Sequence, residues 1–598
     1  MIDNLKKILY LLPKGDKYRL AGLFAMMMGA AVIEVAGIGM IPAFVSIVAD
    51  PQMVMQYGPA ERVLSFLGIE TTQQLLIWGG STLVLVFVIK NLYITLFFYV
   101  EARYAYSRYY RLAHRLMSSY MQAPYTFHLQ RNTADLLRNT SSEVRLLIQQ
   151  VIKPVLVMSK EAVMALAIIA FLLFMEPLIT LIVFLLLGSG VGGFLMLTQR
   201  RVKGYGREEQ EHRRGLIKAL NQGVGGIKDA RVLNREAVFI EKFRYAAYRS
   251  SQLLTKKFFL SKIPKPIVET IAVGGIMLIA VMMVLQGRPV TTIIPVLTLF
   301  VMATVRLMPA IQQITKAMTK LRYNLVVIDP IYEDIKELAD YRKRFLADRD
   351  KKERLQMNKN IEIRDLYYNY PKTNEQALRG VSLTIERGRS IAFTGPSGAG
   401  KTTIVDLLLG LLEPAKGEIL VDGNNIQDHL SAWQRNIGYI PQFIYLSDET
   451  LRCNVAFGVP EKDIDDEKVW HALHLAQLGE FVERMPEKLD AIIGERGVRL
   501  SGGQRQRIGI ARALYHDPQV LVMDEATSAL DNVTEKQIIN AIEQLKGDRT
   551  IITIAHRLTT VMNCDRIYYM EDGKIVSEGT YSELLEQNDS FRVLANAT

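Results

Sequence analysis

The sequence predicts two domains of different fold class: a membrane α-helical domain with six transmembrane helices, fused to a cytosolic α/β domain. Two observations predict this division. The first part of the 598-residue chain holds apolar runs near the length that a bilayer core requires. The second part alternates short apolar strands with helical patterns. We place the transmembrane domain at residues 1–325, a charged linker at 326–359 and the α/β domain at 360–598.

The six apolar runs are the predicted spans. Their short connections carry few basic residues, whereas the long connections after the second and fourth spans are rich in arginine. The positive-inside rule therefore predicts that both long connections and both termini are cytoplasmic. Before the first span, Leu5, Ile8 and Leu11 share one helical face, which predicts an interfacial helix. We place the spans at residues 20–48, 75–100, 155–175, 178–197, 267–286 and 292–312.

Charge and cysteine content exclude other classes of protein. The net charge is +11, but the basic residues of the first half cluster at the ends of apolar runs, where membrane orientation explains them. We therefore expect no nucleic-acid partner. The two cysteines, Cys453 and Cys564, have no metal-binding or redox spacing and predict no disulfide framework.

The long connections and the linker have helical patterns of their own. The connections continue the spans and should project far below the bilayer as arms, which suits a mechanical link to a cytosolic domain. The linker is dense in acidic and basic residues, which favours a solvated helix at the domain boundary.

A glycine-rich segment in the second half predicts a nucleotide triphosphate site. It follows an apolar strand at 390–394 and precedes a helical pattern at 404–412. Glycines let backbone N–H groups wrap phosphate oxygens, a lysine reaches the outer phosphates, and a threonine hydroxyl can ligate Mg²⁺. The alternative is a glycine turn that merely joins a strand to a helix. The candidate phosphate-binding residues are Gly395, Ser397, Gly398, Gly400, Lys401, Thr402 and Thr403.

Two further motifs extend this site and predict a P-loop ATPase domain. Asp524 and Glu525 end an apolar strand, which suits a carboxylate for the metal and a second one that polarises the attacking water. The segment from Ser501 through Gly502 and Gly503 to Gln504 opens a basic helix and can hold a γ-phosphate on free N–H groups. Alone, it would be read as an ordinary N-cap.

Together with His556, these motifs resemble, in order, the nucleotide-binding domain of an ABC transporter. Six spans before one such domain resemble a half-transporter of the exporter type, with the type IV transmembrane fold. The resemblance implies ATP and Mg²⁺ as cofactors. It also implies that Tyr370 stacks on adenine, Gln442 contacts Mg²⁺ beside Thr402 and Asp524, and His556 contacts the γ-phosphate.

The resemblance also implies assembly. In this family each ATP lies between the lysine loop of one domain and the serine loop of another, and Asp531 belongs to the loop that crosses to the partner. No catalytic position is degenerate, so a homodimer with two working sites is the natural interpretation, and a heterodimer stays open. Residues 124–138 and 225–236 resemble the two coupling segments that transmit closure of the nucleotide domains.

Ionisable residues within the spans indicate the transported substrate. Glu34, Lys90, Glu161 and Glu269 lie there together with a basic set that shares helical faces. A cavity with positive walls would favour a phosphate or diphosphate head group. The alternative is that the lysines extend to the cytoplasmic interface. We expect the glycine-rich run 188–193 to be a helix-packing surface. The candidate cavity residues are Lys153, Lys160, Arg306, Gln313 and Lys316.

Segments 225–243 and 51–67 are similar to bacterial flippases of lipid-linked oligosaccharides, the latter as an external interfacial helix. The leading hypothesis is therefore an ATP-driven flippase of a polyprenyl diphosphate glycan in the bacterial inner membrane. Alternatives are export of lipid A-like lipids, drugs or peptides. An ATPase with a regulatory membrane half is a different class, and the six spans argue against a chromosome or repair ATPase.

Overall fold

The computed structural model describes residues 2–13, 15–49, 71–287, 290–341, 353–373, 375–494, 497–498, 500–524, 532–555 and 561–596. These fall into two compact units. The first comprises Met1–Met121 and Arg131–Ala339, and the second comprises Gln122–Gln130 and Asp340–Thr598. The external segment predicted at 51–67 lies outside the described residues.

The first unit is helical throughout, and two short π-helical segments, Asn139–Glu143 and Ile148–Ile152, interrupt its third long helix. Its helices, together with α4 of the second unit, are α1 Ile2–Leu11, α2 Asp16–Ala49, α3 Thr72–Met121, α4 Tyr125–Gln130, α5 Thr133–Arg138, α6 Val144–Leu147, α7 Lys153–Met175, α8 Pro177–Gly225, α9 Ile227–Val232, α10 Glu236–Lys262, α11 Pro264–Leu285, α12 Val290–Asn324 and α13 Ile328–Glu337.

The predicted membrane fold class is confirmed. Five described helical segments are long and apolar enough to cross a membrane, and α8 contains a shorter apolar stretch at Gly188–Thr198. Helices α3 and α8 have 50 and 49 residues, about 75 Å at 1.5 Å per residue, so they continue well beyond a bilayer core. In α3 and α8 the span and its arm therefore form a single helix, as the sequence predicts.

One arm joins its span through a break. Helix α10 ends at Lys262, and α11 begins at Pro264. Proline has no N–H group and a fixed φ, so it is tolerated in the first turn of a helix but not in its interior. Pro264 therefore starts a new helix at this point.

The glycine-rich run of α8 serves packing at one position only. A Cβ atom on Gly190 would lie 2.7 Å from Cδ1 of Ile271, so α8 and α11 approach closely there. Gly188 and Gly192 instead face open space and line an apolar cavity of about 280 Å³. The predicted packing surface is thus correct for Gly190 and wrong for Gly188 and Gly192.

Helix α13 corrects the expectation of a fully solvated linker. Its Ile331 and Ile335 are buried, and its buried Asp334 accepts hydrogen bonds from the Tyr120 hydroxyl at 2.5 Å and from Asn139 Nδ2 at 3.1 Å. The N-terminal helix α1 packs on the same helix, since Lys7 pairs with Asp329 at 2.9 Å. Residues 328–337 are therefore an amphipathic helix of the first unit. The rest of the predicted linker up to residue 352 lies largely outside the described residues.

The second unit contains two sheets. A four-stranded antiparallel sheet has the order β2-β1-β4-β5, and a six-stranded sheet has the order β10-β9-β3-β8-β7-β6. The strands are β1 Asn360–Asn369, β2 Gln376–Glu386, β3 Ser390–Thr394, β4 Lys416–Val421, β5 Asn424–Asn425, β6 Ile437–Ile440, β7 Val520–Asp524, β8 Thr550–Ile554, β9 Arg566–Glu571 and β10 Lys574–Gly579.

Helices cover these sheets, and fully buried strands form the centre of the six-stranded sheet. Strands β3 and β8 are buried at every position, as expected for parallel strands covered on both faces. The helices are α14 Lys401–Leu408, α15 Leu430–Gln434, α16 Leu451–Val455, α17 Asp466–Leu475, α18 Gly479–Glu483, α19 Gly502–Leu514, α20 Asn532–Glu543, α21 Tyr581–Gln587 and α22 Asp589–Asn596.

The parallel strands β3, β8, β7 and β6 place their carboxyl ends at one edge. The register pairs Phe393 with Ile554, Ile554 with Asp524, and Met523 with Ile440. The chain segments that leave these strands therefore emerge side by side, and in open α/β sheets this edge is where ligands bind.

Candidate functional site

The glycine-rich loop lies at this edge, between β3 and α14. Gly395 has φ +141° and Gly400 has φ +97°, both in the region that favours glycine. A Cβ on Gly395 would lie 2.1 Å from the Met570 carbonyl oxygen, and one on Gly400 would lie 2.8 Å from the Ala377 carbonyl oxygen. Neighbouring strands thus fix the loop, while Ser397 and Gly398 are exposed at its tip.

Lys401 and Thr402 are the first residues of α14, directly after the loop. The Lys401 ammonium group donates to the carbonyl oxygens of Gly395 and Pro396, both at 2.8 Å, and is buried against the loop. Thr402 is exposed at the same helix end. A helix N-terminus with these side chains suits a phosphate group.

Tyr370 contacts Thr403, which lies in the first turn of this helix. Tyr370 Oη and Thr403 Oγ1 are 3.2 Å apart, and the Tyr370 ring packs edge-on against Tyr368 at 5.1 Å. Tyr370 is only partly buried. The structure thus brings Tyr370 to the loop helix, and its stacking on adenine stays a prediction.

The predicted metal-binding residues come from three segments at the edge. Asp524 ends β7, Gln442 follows the adjacent parallel strand β6, and Thr402 opens α14. Within the described residues no group of three or more His, Cys, Asp or Glu side chains could hold a metal ion. One carboxylate, one amide and one hydroxyl fit Mg²⁺ only as a partial oxygen shell, completed by phosphate oxygens and water.

Asp406 is a residue of this region that the sequence reasoning missed. Burial, followed by the charge of Asp524, raises the pKa of the Asp406 carboxyl to about 6. Burial, together with Asp524 and Asp406, also raises the pKa of the nearby Tyr439 hydroxyl. A lone acid five residues after Lys401 looks like a surface residue of α14, so only the fold reveals it.

The serine-glycine motif opens α19 as a capping box. Ser501 Oγ accepts from the Gln504 N–H at 3.2 Å, and Gln504 Oε1 accepts from the Ser501 N–H at 2.8 Å. In the described part of the chain, the N–H groups of Gly502 and Gly503 have no hydrogen-bond partner. The N-cap alternative is therefore realised, and it leaves two backbone donors at the helix start.

Three predicted residues cannot be placed. Glu525, Asp531 and His556 lie outside the described residues. Asp524, which precedes Glu525, ends β7, and Ala555, which precedes His556, directly follows the adjacent strand β8. Their roles stay predictions.

Arg512 ties α19 to the segment that follows Gln442. Its Nε donates to the Asn454 carbonyl oxygen and its Nη1 to the Tyr445 carbonyl oxygen, both at 2.8 Å. The guanidinium also lies over the Phe457 ring, 4.5 Å from its centroid. Burial lowers the pKa of Arg512 to about 10.

The first predicted coupling segment divides between the units. Residues 122–130, including α4, belong to the unit that holds the sheets, whereas residues 131–138 belong to the helical unit. Burial raises the pKa of Tyr125 in α4, and the next causes are Asp406, in the loop helix α14, and Tyr370, which contacts that helix. The second segment contains α9, whose Ile227 and Val232 carry exposed apolar side chains, and the following Leu233 is exposed as well.

A charged cavity of about 760 Å³ lies within the helical unit. It is lined from α2, α3, α7 and α12, and four predicted residues, Lys153, Lys160, Arg306 and Gln313, face it. The fifth, Lys316, is exposed and is not among its lining residues. The structure therefore brings together four of the five candidates.

The walls of this cavity are not uniformly positive. Arg306 Nε lies 2.9 Å from Glu34 Oε1, and Lys160 Nζ lies 2.9 Å from Glu161 Oε1. Lys90 is a further cationic wall residue. The expected basic residues thus line the cavity together with carboxylates from α2 and α7, which pair with the cations.

Each of the two units resembles a known protein family. Residues 378–528 match the family described as ABC transporter, and residues 36–306 match the ABC transporter transmembrane region. A protein named ATP-dependent lipid A-core flippase, from Ralstonia nicotianae, is 31% identical over 483 residues, which is 80% of each chain. The flippase of the same name from Cupriavidus pinatubonensis is 31% identical over 79% of each chain.

A second kind of relative and a solved structure complete the comparison. The heterocyst differentiation ATP-binding protein HepA of a Nostoc species is 33% identical over 69% of this chain and 65% of its own length. A bacterial Atm1-family ABC exporter with ATP bound superposes with a TM-score of 0.71 over 98% of both chains, at 21% identity. This last likeness concerns the fold.

Proposed function

Because the chain belongs to the ABC transporter family as a half-transporter of the exporter type, we propose that it flips an anionic, phosphorylated amphipathic lipid across its membrane. Membership means that the protein binds ATP and couples ATP hydrolysis to transport. The observation that carries the lipid proposal is the cavity within the helical unit, where Lys90, Lys160 and Arg306 present cations beside apolar wall residues. Cations in such a place suit phosphate groups.

The relatives favour one source of the phosphate. The name of these flippases gives lipid A-core as their substrate, which agrees with the alternative of a lipid A-like lipid more than with a polyprenyl diphosphate glycan. Both lipids combine phosphates with long apolar chains, so the cavity chemistry alone does not separate them. We therefore propose a lipid that combines phosphate groups with long apolar chains as the substrate, and the following assay distinguishes the two lipids.

The assay is lipid-stimulated ATPase activity of the full protein in nanodiscs of neutral phosphatidylcholine. Lipid A-core and a polyprenyl diphosphate oligosaccharide are each added, with a neutral glycolipid as control. We expect one phosphorylated lipid to raise the ATPase rate several-fold and the neutral lipid to have little effect. Equal stimulation by the neutral lipid would contradict the proposal.

We also propose roles for the nucleotide-site residues. Lys401, Thr402 and the loop glycines hold the phosphates, Thr402, Gln442 and Asp524 share Mg²⁺, and Glu525 polarises water. The metal would neutralise developing phosphate charge when bound. The residues Ser501, Gly502, Gly503, Gln504 and Asp531 act on the ATP of a second copy, with Tyr370 on adenine and His556 on the γ-phosphate.

A homodimer is the proposed assembly. Three exposed apolar residues support it, Ile227 and Val232 in α9 and Leu233 directly after it, since a coupling segment needs a docking partner. Mass photometry of detergent-solubilised protein should give twice the chain mass of 67.7 kDa plus its detergent shell. A monomer that hydrolyses ATP at the full rate would contradict this assembly. The proposed location is a bacterial inner membrane, with both termini cytoplasmic.

A further inference from the structure

The charged cavity contains more acid than an anion-binding site needs. Four cationic and three acidic side chains line it. The acids are nearly inaccessible to solvent, at 4% exposure for Glu34, 6% for Glu101 and 4% for Glu161. The charged residues that line the cavity are Lys90, Lys153, Lys160, Arg306, Glu34, Glu101 and Glu161.

Two of the acids, Glu34 and Glu161, form a continuous network of ion pairs with three of the cations. Glu34 Oε1 lies 3.5 Å from Lys90 Nζ and 2.9 Å from Arg306 Nε. The same Arg306 guanidinium also contacts Glu161, with Nη1 lying 3.5 Å from Glu161 Oε2. Glu161 Oε1 in turn lies 2.9 Å from Lys160 Nζ. Arg306 is therefore shared between two carboxylates that come from α2 and α7.

Some carboxylate oxygens of the charged cavity residues have no hydrogen-bond donor in the part of the chain that the structure describes. Within the described residues, Glu161 Oε2 and Glu101 Oε1 are buried and have no hydrogen-bond partner. Lys153 lines the same cavity and makes no ion pair with the described residues. Buried polar atoms normally find partners, so a cluster with spare acceptors and a spare cation is poised to rearrange.

An anionic head group can reach Arg306 and Lys160 only in competition with these carboxylates. A head group with one negative charge replaces one carboxylate charge by another and gains little. A head group with two or more negative charges gains a second attraction after the same displacement. Bulk membrane lipids with a single charge are therefore disfavoured, since specificity can arise from contacts that oppose the wrong ligand.

Resting on the proposed function, we infer that Glu34 and Glu161 are specificity-determining residues that select lipid head groups with at least two negative charges over those with one. They act as internal counter-ions. Diphosphates and bis-phosphorylated sugars share the required chemistry.

The test is binding of three probes with one tail: farnesol, farnesyl monophosphate and farnesyl diphosphate. The full protein is held in phosphatidylcholine nanodiscs, and affinity is measured by calorimetry. We expect the wild type to bind the diphosphate about tenfold more tightly than the monophosphate. Glu34→Gln and Glu161→Gln should each tighten monophosphate binding about tenfold, leaving farnesol unchanged.

The matched control is Glu211→Gln, the same change at an exposed position of α8 outside the cavity. It should reproduce the wild-type affinities. Thermal unfolding in the same nanodiscs checks that each variant is folded, and either cavity variant suffices for the conclusion.

The possible failures are distinguishable. If the wild type prefers the diphosphate but neither cavity variant tightens monophosphate binding, the inference is overturned and the proposed function stands. If the wild type and the variants bind all three probes equally, the anionic head group itself is wrong and both proposals fall.

Discussion

At the scale of single residues, the nucleotide loop depends on backbone conformations that only glycine adopts easily. Gly395 combines a φ of +141° with a neighbouring strand carbonyl that leaves no room for a Cβ atom. Gly423, in the turn between β4 and β5, has a φ of +83° and no atom within 4 Å of such a Cβ. Alanine at Gly395 would therefore meet both backbone strain and a steric clash, whereas alanine at Gly423 would meet backbone strain alone.

Gly395→Ala should lower the free energy of unfolding by more than about 2 kcal/mol and prevent ATP binding, because the loop must move away from Met570. Gly423→Ala should cost about 1 kcal/mol and leave ATP binding intact. Thermal unfolding and fluorescent-nucleotide titration measure the two effects. Normal nucleotide affinity in Gly395→Ala would show that the loop is not constrained as described.

Asp406 gives a prediction that depends on pH. Burial and Asp524 raise the pKa of its carboxyl from 3.8 to about 6, so the folded protein holds this proton more tightly than the unfolded chain. Stability contributed by this group therefore falls as the pH rises from about 4 to about 6, and the whole loss is present above that.

Asp406→Asn should be more stable than the wild type at pH 7.5, by up to about 3 kcal/mol, and the difference should vanish near pH 4. Thermal unfolding at the two pH values measures this, with the exposed Asp463→Asn as control. Equal stability of Asp406→Asn and wild type at pH 7.5 would mean that the carboxylate ionises without penalty.

At the scale of elements, Arg512 joins α19 to the segment after Gln442. It holds two backbone carbonyl groups and stacks on Phe457, a geometry that a lysine ammonium group cannot reproduce. Arg512 therefore helps to fix the position of the serine-glycine motif relative to the segment after Gln442.

Arg512→Lys should lower the ATPase rate about tenfold while ATP binding to the loop changes little, because the mutation misplaces elements that complete the site. The control is Arg484→Lys, at an exposed position on the surface. Steady-state ATPase assays and nucleotide titration separate the two effects. An unchanged ATPase rate in Arg512→Lys would show that this junction is not needed for hydrolysis.

Elements also show what the sequence could predict. Strands β3 and β7 were predictable because each is a short, mostly apolar run at whose end a motif begins, Gly395 after β3 and Asp524 at the end of β7. The face of α13 carries Ile328, Ile331 and Ile335 at helical spacing, but its dense charge favoured a solvated helix, and tertiary packing decided otherwise. The antiparallel pairing of β1, β2 and β4 lacked any comparable signal.

At the scale of the whole molecule, the order of domains and the family were readable from motifs and apolar length, since both are local in sequence. The charge pairing of the cavity was not, because Glu34, Glu161 and Arg306 come from three helices that are far apart in sequence. Helical periodicity predicts which residues share a face, whereas only packing shows which faces meet.

The central claim is that ATP hydrolysis drives a phosphorylated lipid across the membrane. The most direct measurement is movement of labelled lipid A-core and of a labelled polyprenyl diphosphate oligosaccharide between the leaflets of proteoliposomes. Wild type and Glu525→Gln are compared with and without ATP. We predict ATP-dependent movement of one lipid by the wild type and none by the variant. Movement without ATP, or equal movement by Glu525→Gln, would contradict the claim.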